Sequence, residues 1–237
     1  VTSVMLPALS RAQADPQAYR KIALTFYRMI AVTLIPAGVG LFVVGRDVML
    51  VLAPEWEGAG WLVTLLAPAI LAQGFVNITG SVLASVGKTR ALFFSAFVMC
   101  LLFVQGYVAG YWLGNKFGDS AIYPRGVFLG VAASYSIVIL AAILVPYLSF
   151  SCQLVGIRLR ALLTLIWHPL RASLAMGAAT WILGDLLLAS LAAWLRLPIL
   201  VVAGVILYLI FARRDVRWLA SQLNGTAQNQ LDTGTAE

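Results

Sequence analysis

Six long apolar runs, near residues 22–45, 59–85, 91–113, 125–148, 171–190 and 197–211, alternate with short segments that collect the charged residues. A helix rises about 1.5 Å per residue and needs about 20 residues to cross a hydrocarbon layer roughly 30 Å thick. Each run therefore predicts a membrane-crossing helix, the last one starting near Trp194. With 62% apolar residues, 11% charged residues and a mean hydropathy of +0.94, the chain has too little polar surface for a soluble domain. The expected fold class is all-α, a polytopic membrane helical bundle.

Between the runs the pattern gives boundaries. Asp15-Pro16 predicts a helix start, a side-chain acceptor at the N-cap followed by proline in the first turn. Pro36, with Gly38 and Gly40, predicts a kink or hinge near the middle of the same helix, and Pro68 marks the next span. Pro54-Glu55-Trp56-Glu57-Gly58 predicts an external turn with an interfacial tryptophan. Over 149–170, Leu154, Ile157, Leu162 and Leu165 alternate with Arg158 and Arg160, which predicts an interfacial amphipathic helix. The expected organisation is a partial bundle over 1–148 holding the end of one span plus four spans, a cytoplasmic linker over 149–170, two spans over 171–211, and a polar tail over 212–237, disordered from Ala220 onward. The chain opens with Val1, and its first nine residues read as the last turns of a helix. The expectation is an N-terminally truncated protein.

Charge then orients the ladder. With the start placed in the cytoplasm, Arg11, Arg20, Lys21, Arg28, Lys88, Arg90, Arg158, Arg160, Arg171, Arg213, Arg214 and Arg217 all fall on the cytoplasmic side. Arg46, Lys116, Arg125 and Arg196 are left outside. The inverse orientation would put three times as many cations outside, against the positive-inside bias. The net charge of +7 is thereby a record of membrane orientation, and no nucleic-acid partner is expected.

Polar residues inside the spans are the candidates for function. Gln17, Lys21, Thr25 and Arg28 recur at helical spacing, as do Gln73, Asn77, Ser81 and Lys88. A charge facing lipid near mid-membrane costs about 2.5 kcal/mol or more, so Arg28 should face protein, water or, by snorkelling, lipid phosphates. Together the two stripes predict a hydrated cationic cavity open to the cytoplasm, suited to a sugar on a phosphate or pyrophosphate. For Gln73 and Asn77, interhelical hydrogen bonding fits as well as ligand contact. Gly106, Gly110 and Gly114, and Gly126, Gly130 and Ser134, place small residues every fourth position on successive spans and predict a closely packed hairpin.

Other chemistries find little footing. No span carries paired carboxylates, a Ser/His/Asp set or a metal-ligand cluster, so no catalytic residues, metal or cofactor are expected and the chain is not read as an enzyme. Asp185 fits either a cation-coupling site or a carboxylate at the outer interface. The single histidine, His168, reads as an interfacial side chain. Cys100 and Cys152 are expected to stay reduced.

Leu6-Pro7-Ala8-Leu9-Ser10-Arg11, followed by Asp15, Tyr19 and a kinked helix, then Ala53-Pro54-Glu55-Trp56 and the stretch Gly80 to Arg90, resemble bacterial polysaccharide flippases of the multidrug/oligosaccharidyl-lipid/polysaccharide exporter superfamily. The likeness covers roughly residues 1–150. It implies the second lobe of a MATE-like flippase fold plus two additional C-terminal helices, with a missing N-terminal bundle of the same protein as partner. It also implies movement of undecaprenyl-pyrophosphate-linked oligosaccharide across the bacterial inner membrane by alternating access, with the C-terminus cytoplasmic and membrane lipid around it. On that reading Lys21, Arg28, Lys88 and Arg90 attract pyrophosphate, Gln73 and Asn77 meet sugar or orient helices, and Pro36 and Pro68 let the bundle bend. The competing readings are a drug/cation exporter of the same fold, which should favour acids and aromatics in its cavity, and a polymerase or noncatalytic membrane component of polysaccharide assembly.

Overall fold

A computed structural model describes residues 2–117, 125–188 and 190–222, and among them there is no strand. Helix α1 (Thr2–Arg11) leads into α2 (Pro16–Leu52), which a 3-10 turn (Pro54–Ala59) joins to α3 (Gly60–Ser85). Then come α4 (Thr89–Phe117), α5 (Arg125–Ile137), a π-helical segment (Val138–Leu144) and α6 (Val145–Val155). Helix α7 (Leu159–Ile182) ends in a second π-helical turn (Leu183–Leu187), and α8 (Ala193–Phe211) is followed by a short helix, α9, over 213–222. The chain is an all-α polytopic bundle.

Five helices among the described residues are long and apolar enough to cross a membrane: Pro16–Leu52, Gly60–Ser85, Thr89–Lys116, Gly126–Val155 and Ala193–Phe211. The sixth run, expected at 171–190, lies in α7, which begins earlier, at Leu159. Its polar content, with Arg160, His168 and Arg171 in one helix, keeps it below the hydropathy of the other five. The residues expected to form a separate interfacial linker, 149–170, are instead divided between two helices. Gly156, at φ +74°, ends α6 in the left-handed conformation that glycine adopts without a Cβ clash, and α7 starts three residues later. Pro36 and Pro68 both sit inside helices assigned as continuous, each leaving one bond of the ladder unmade, and two π segments alter the ladder elsewhere.

Asp15 caps α2 by accepting from the backbone N–H of Gln17 at 2.8 Å and of Ala18 at 3.2 Å, which meets two of the donors a helix start leaves open. Along α2, Tyr19, Ala23, Tyr27, Ala31 and Ile35 are buried at four-residue spacing. They pack on Phe75, Ile78 and Val82 of antiparallel α3. Two hydroxyl relays pin the seam. Thr79 donates to the carbonyl of Phe75 at 2.7 Å, so its oxygen is left to accept from Tyr27 at 2.9 Å. Ser85 donates to Val82 O at 2.8 Å and lies 2.8 Å from the Tyr19 hydroxyl. Leu148, Cys152, Ile157 and Leu162, with Met5 and Leu9, close one side of this core.

Helix α4 leans on α5. Its outer surface, with Phe93, Phe97, Val104, Val108 and Trp112, is exposed, as expected of a lipid-facing helix. A Cβ built on Gly110 would meet Gly130 O at 2.6 Å, and one on Gly130 would overlap Gly110 O, so the backbones touch where the glycines align. Gly114 lies against Gly126 in the same way, and Gly106 against the side chain of Val138.

Candidate functional site

The polar residues that share helical spacing in the sequence separate into three places. At the middle of α3, Gln73 and Asn77 are exposed, and Gln73 Nε2 donates to Asn77 Oδ1 at 3.5 Å. Gly74, between them, lies directly against Ile30 and Leu34 of α2, so the two amides flank the α2/α3 seam. Ser81, one turn further along, turns inward to its own helix and donates to Asn77 O at 3.2 Å. The opposite face of α3 holds the buried Phe75, Ile78, Thr79 and Val82.

Arg28 is placed elsewhere. Its Nη2 donates to Asp215 Oδ1 at 2.8 Å, and its guanidinium lies over the Trp218 ring, 4.1 Å from the centroid. Asp215, 4% exposed, is a buried acid, as Asp47 is, among the described residues. His168 Nδ1 stands 2.8 Å from the other oxygen, without hydrogen-bond alignment. Arg28 thus bridges α2 to α9, so the first part of the expected polar tail, residues 212–222, is helical and docked on the bundle. The remainder of that expectation, disorder over 223–237, lies outside the described residues. Tyr208 adds a second tie, donating to Val32 O at 2.7 Å.

Lys88 follows a third course. Its ammonium donates to Leu154 O at 2.6 Å, holding the α3/α4 turn against the end of α6, and it borders a cleft of about 310 Å³ with Gln13 and Tyr19. An ammonium has three donors, so two remain for a ligand or water. Lys21 and Arg90 are exposed. Of the four cations expected to share one cavity, Arg28 is held by Asp215 and Lys88 by the Leu154 carbonyl.

At the other end of α2, sequence reasoning missed a buried carboxylate. Asp47 is 7% exposed and stands 3.3 Å from Arg196 Nε, while Arg196 Nη2 is 3.7 Å from Asp185 Oδ1. Asp185, half exposed in the turn after α7, is therefore an ion-pair partner. Its neighbour Arg46 made Asp47 look like a loop charge; the only warning was that the apolar run continues past it to Leu52. Arg28 and Asp47 sit 19 positions apart, about 28 Å along the helix. The α7/α8 pair and its extension are thereby clamped to α2 near both ends.

A family model described as "Polysaccharide biosynthesis protein" matches residues 1–60. No curated protein and no solved structure matches the chain. The matched segment covers α1, α2 and the turn after it, the helix that carries the central seam and both clamps. The match supports a role in polysaccharide assembly or export.

Proposed function

We propose that this chain forms one wall of a translocation path for an undecaprenyl-pyrophosphate-linked oligosaccharide, moved from the cytoplasmic to the periplasmic leaflet of a bacterial inner membrane for exopolysaccharide or lipopolysaccharide synthesis. A further bundle of the same protein supplies the opposite wall. The observation that carries this reading is the exposed Gln73–Asn77 pair at the midpoint of an apolar helix. Two carboxamides hold four N–H donors, and their mutual bond uses one. At about 1–3 kcal/mol for each donor left unmet, lipid on this face would cost more than the pair's own bond returns. Water and sugar hydroxyls meet those donors. Lys88, with free donors, and the exposed Arg90 and Lys21 lie at the cation-rich end, which the twelve-to-four charge division assigns to the cytoplasm, and there they would meet the pyrophosphate. Arg28 leaves this set because Asp215 occupies it.

The test is Gln73→Leu together with Asn77→Leu in the full-length protein, in a strain lacking the native copy. Leucine is well suited to a membrane helix, so protein abundance should hold. The expected result is a fall in surface polysaccharide of about tenfold or more, equivalent to about 1.4 kcal/mol in the transport barrier, with lipid-linked precursor accumulating inside. Normal surface polysaccharide would overturn the proposal.

A further inference from the structure

A cleft of about 730 Å³ opens where the Asp47 end of α2 meets α3 and the α7/α8 turn, and its lining includes Arg46, Asp47, Trp61, Thr64, Trp181 and Arg196. That volume is within the roughly 300–1,000 Å³ of small-molecule sites. Two features separate it from an ordinary interfacial belt of tryptophans. First, both indoles border a concave space: Trp61 and Trp181 are half or more exposed, and Arg46 covers one side of Trp61 at 4.8 Å from the ring centroid. Second, the charges balance, two guanidiniums against Asp47 and Asp185, so a dianion gains little there while donors and acceptors stand side by side. Arg196 Nε is itself buried against Asp47, 3.3 Å from its Oδ2 without hydrogen-bond alignment, so it is the rest of the guanidinium that can reach the cleft.

We propose that this cleft is a saccharide-binding site, with indole faces receiving the C–H face of a pyranose ring and the Arg196–Asp47 pair and Thr64 exchanging hydrogen bonds with its hydroxyls. A neutral or mildly acidic sugar matches this mixture of donors, acceptors and apolar plates. The floor is preformed. A Cβ on Gly45 would come within 2.8 Å of Thr64 Oγ1, and one on Gly60 within 2.9 Å of the Arg46 backbone, so α2 and α3 meet there without slack. The inference rests on the translocation reading for its biological sense, since the orientation proposed above puts the cleft on the outer side, where the oligosaccharide is released.

The experiment is isothermal titration of the full-length protein in lipid nanodiscs with chitotriose, with trigalacturonate, and with sodium pyrophosphate as an anion lacking sugar. At least one saccharide should bind. Trp61→Leu and Trp181→Leu should each weaken it about tenfold or more, and Thr64→Val, close in shape, about threefold. Trp112→Leu on lipid-facing α4 should leave binding unchanged, and a melting curve for each variant separates lost binding from lost folding. Binding of neither saccharide, pyrophosphate binding alone, or saccharide binding indifferent to Trp61 and Trp181 would each overturn the site. Saccharide binding that is lost in Trp61→Leu and Trp181→Leu, together with normal export by the Gln73/Asn77 double variant, would sink the translocation path and keep the cleft; binding indifferent to both tryptophans, together with failed export by the double variant, would keep the path and sink the cleft.

Discussion

Removing Arg28 should destabilise the protein, and removing Asp215 with it should return much of the loss. In the folded chain Arg28 holds one oxygen of a buried carboxylate at 2.8 Å, with its own side chain 31% exposed. Two unit charges about 4 Å apart attract by roughly 4 kcal/mol at an effective dielectric of about 20. Solvent reaches Arg28, which cuts that by about half, and stacking on Trp218 contributes about 0.5–1 kcal/mol. Arg28→Ala should therefore cost about 2–3 kcal/mol, read as a fall in melting temperature of roughly 4–12 °C in nanodiscs. Because much of this is a carboxylate left buried without its cation, Arg28→Ala with Asp215→Asn should be more stable than Arg28→Ala alone. Surface polysaccharide should track folded protein in both variants. An Arg28→Ala protein that melts normally yet fails to export, with no rescue by Asp215→Asn, would refute this and return Arg28 to the substrate path.

Two further substitutions probe the packing. Gly130→Ala places a methyl against the Gly110 carbonyl, which is backbone and cannot swing aside, and should cost about 1–3 kcal/mol by melting curve; Gly80→Ala, whose nearest neighbours lie at 3.7 and 3.8 Å, should be tolerated. Tyr27→Phe removes the donor that Thr79 accepts and should cost about 1 kcal/mol, with Thr79→Val in the same protein adding less than its separate effect because the hydroxyls form one relay.

The spans were legible because lipid solubility is a property of each segment alone. Asp15-Pro16 and the glycines of α4 and α5 were legible for a related reason: a helix start and a close helix crossing use residues near one another along the chain. Arg28 shows where this ends. Its partner Asp215 is 187 positions away and sits in an Arg-Arg-Asp-Val-Arg stretch that reads as a solvated anchor. That lone acid among arginines was the available signal. The same limit explains Asp47 with Arg196, and the clamping of α2 by both. The amphipathic look of 149–170 misled because two helix ends, meeting at Gly156, together mimic one interfacial helix. Lys88 was expected on the polar face of α3, but its helical spacing from Asn77 and Ser81 could not reveal that the helix ends at Ser85 and that the turn carries the ammonium to Leu154 O.

The central claim is that the Gln73–Asn77 face meets the lipid-linked oligosaccharide. A photoreactive benzoyl-phenylalanine at position 77, in cells making the polysaccharide, tests it most directly, with the same group at position 104 on exposed, lipid-facing α4 as control. The account predicts a saccharide-bearing adduct at 77 and none at 104. No saccharide adduct at 77, or equal capture at both positions, would contradict it.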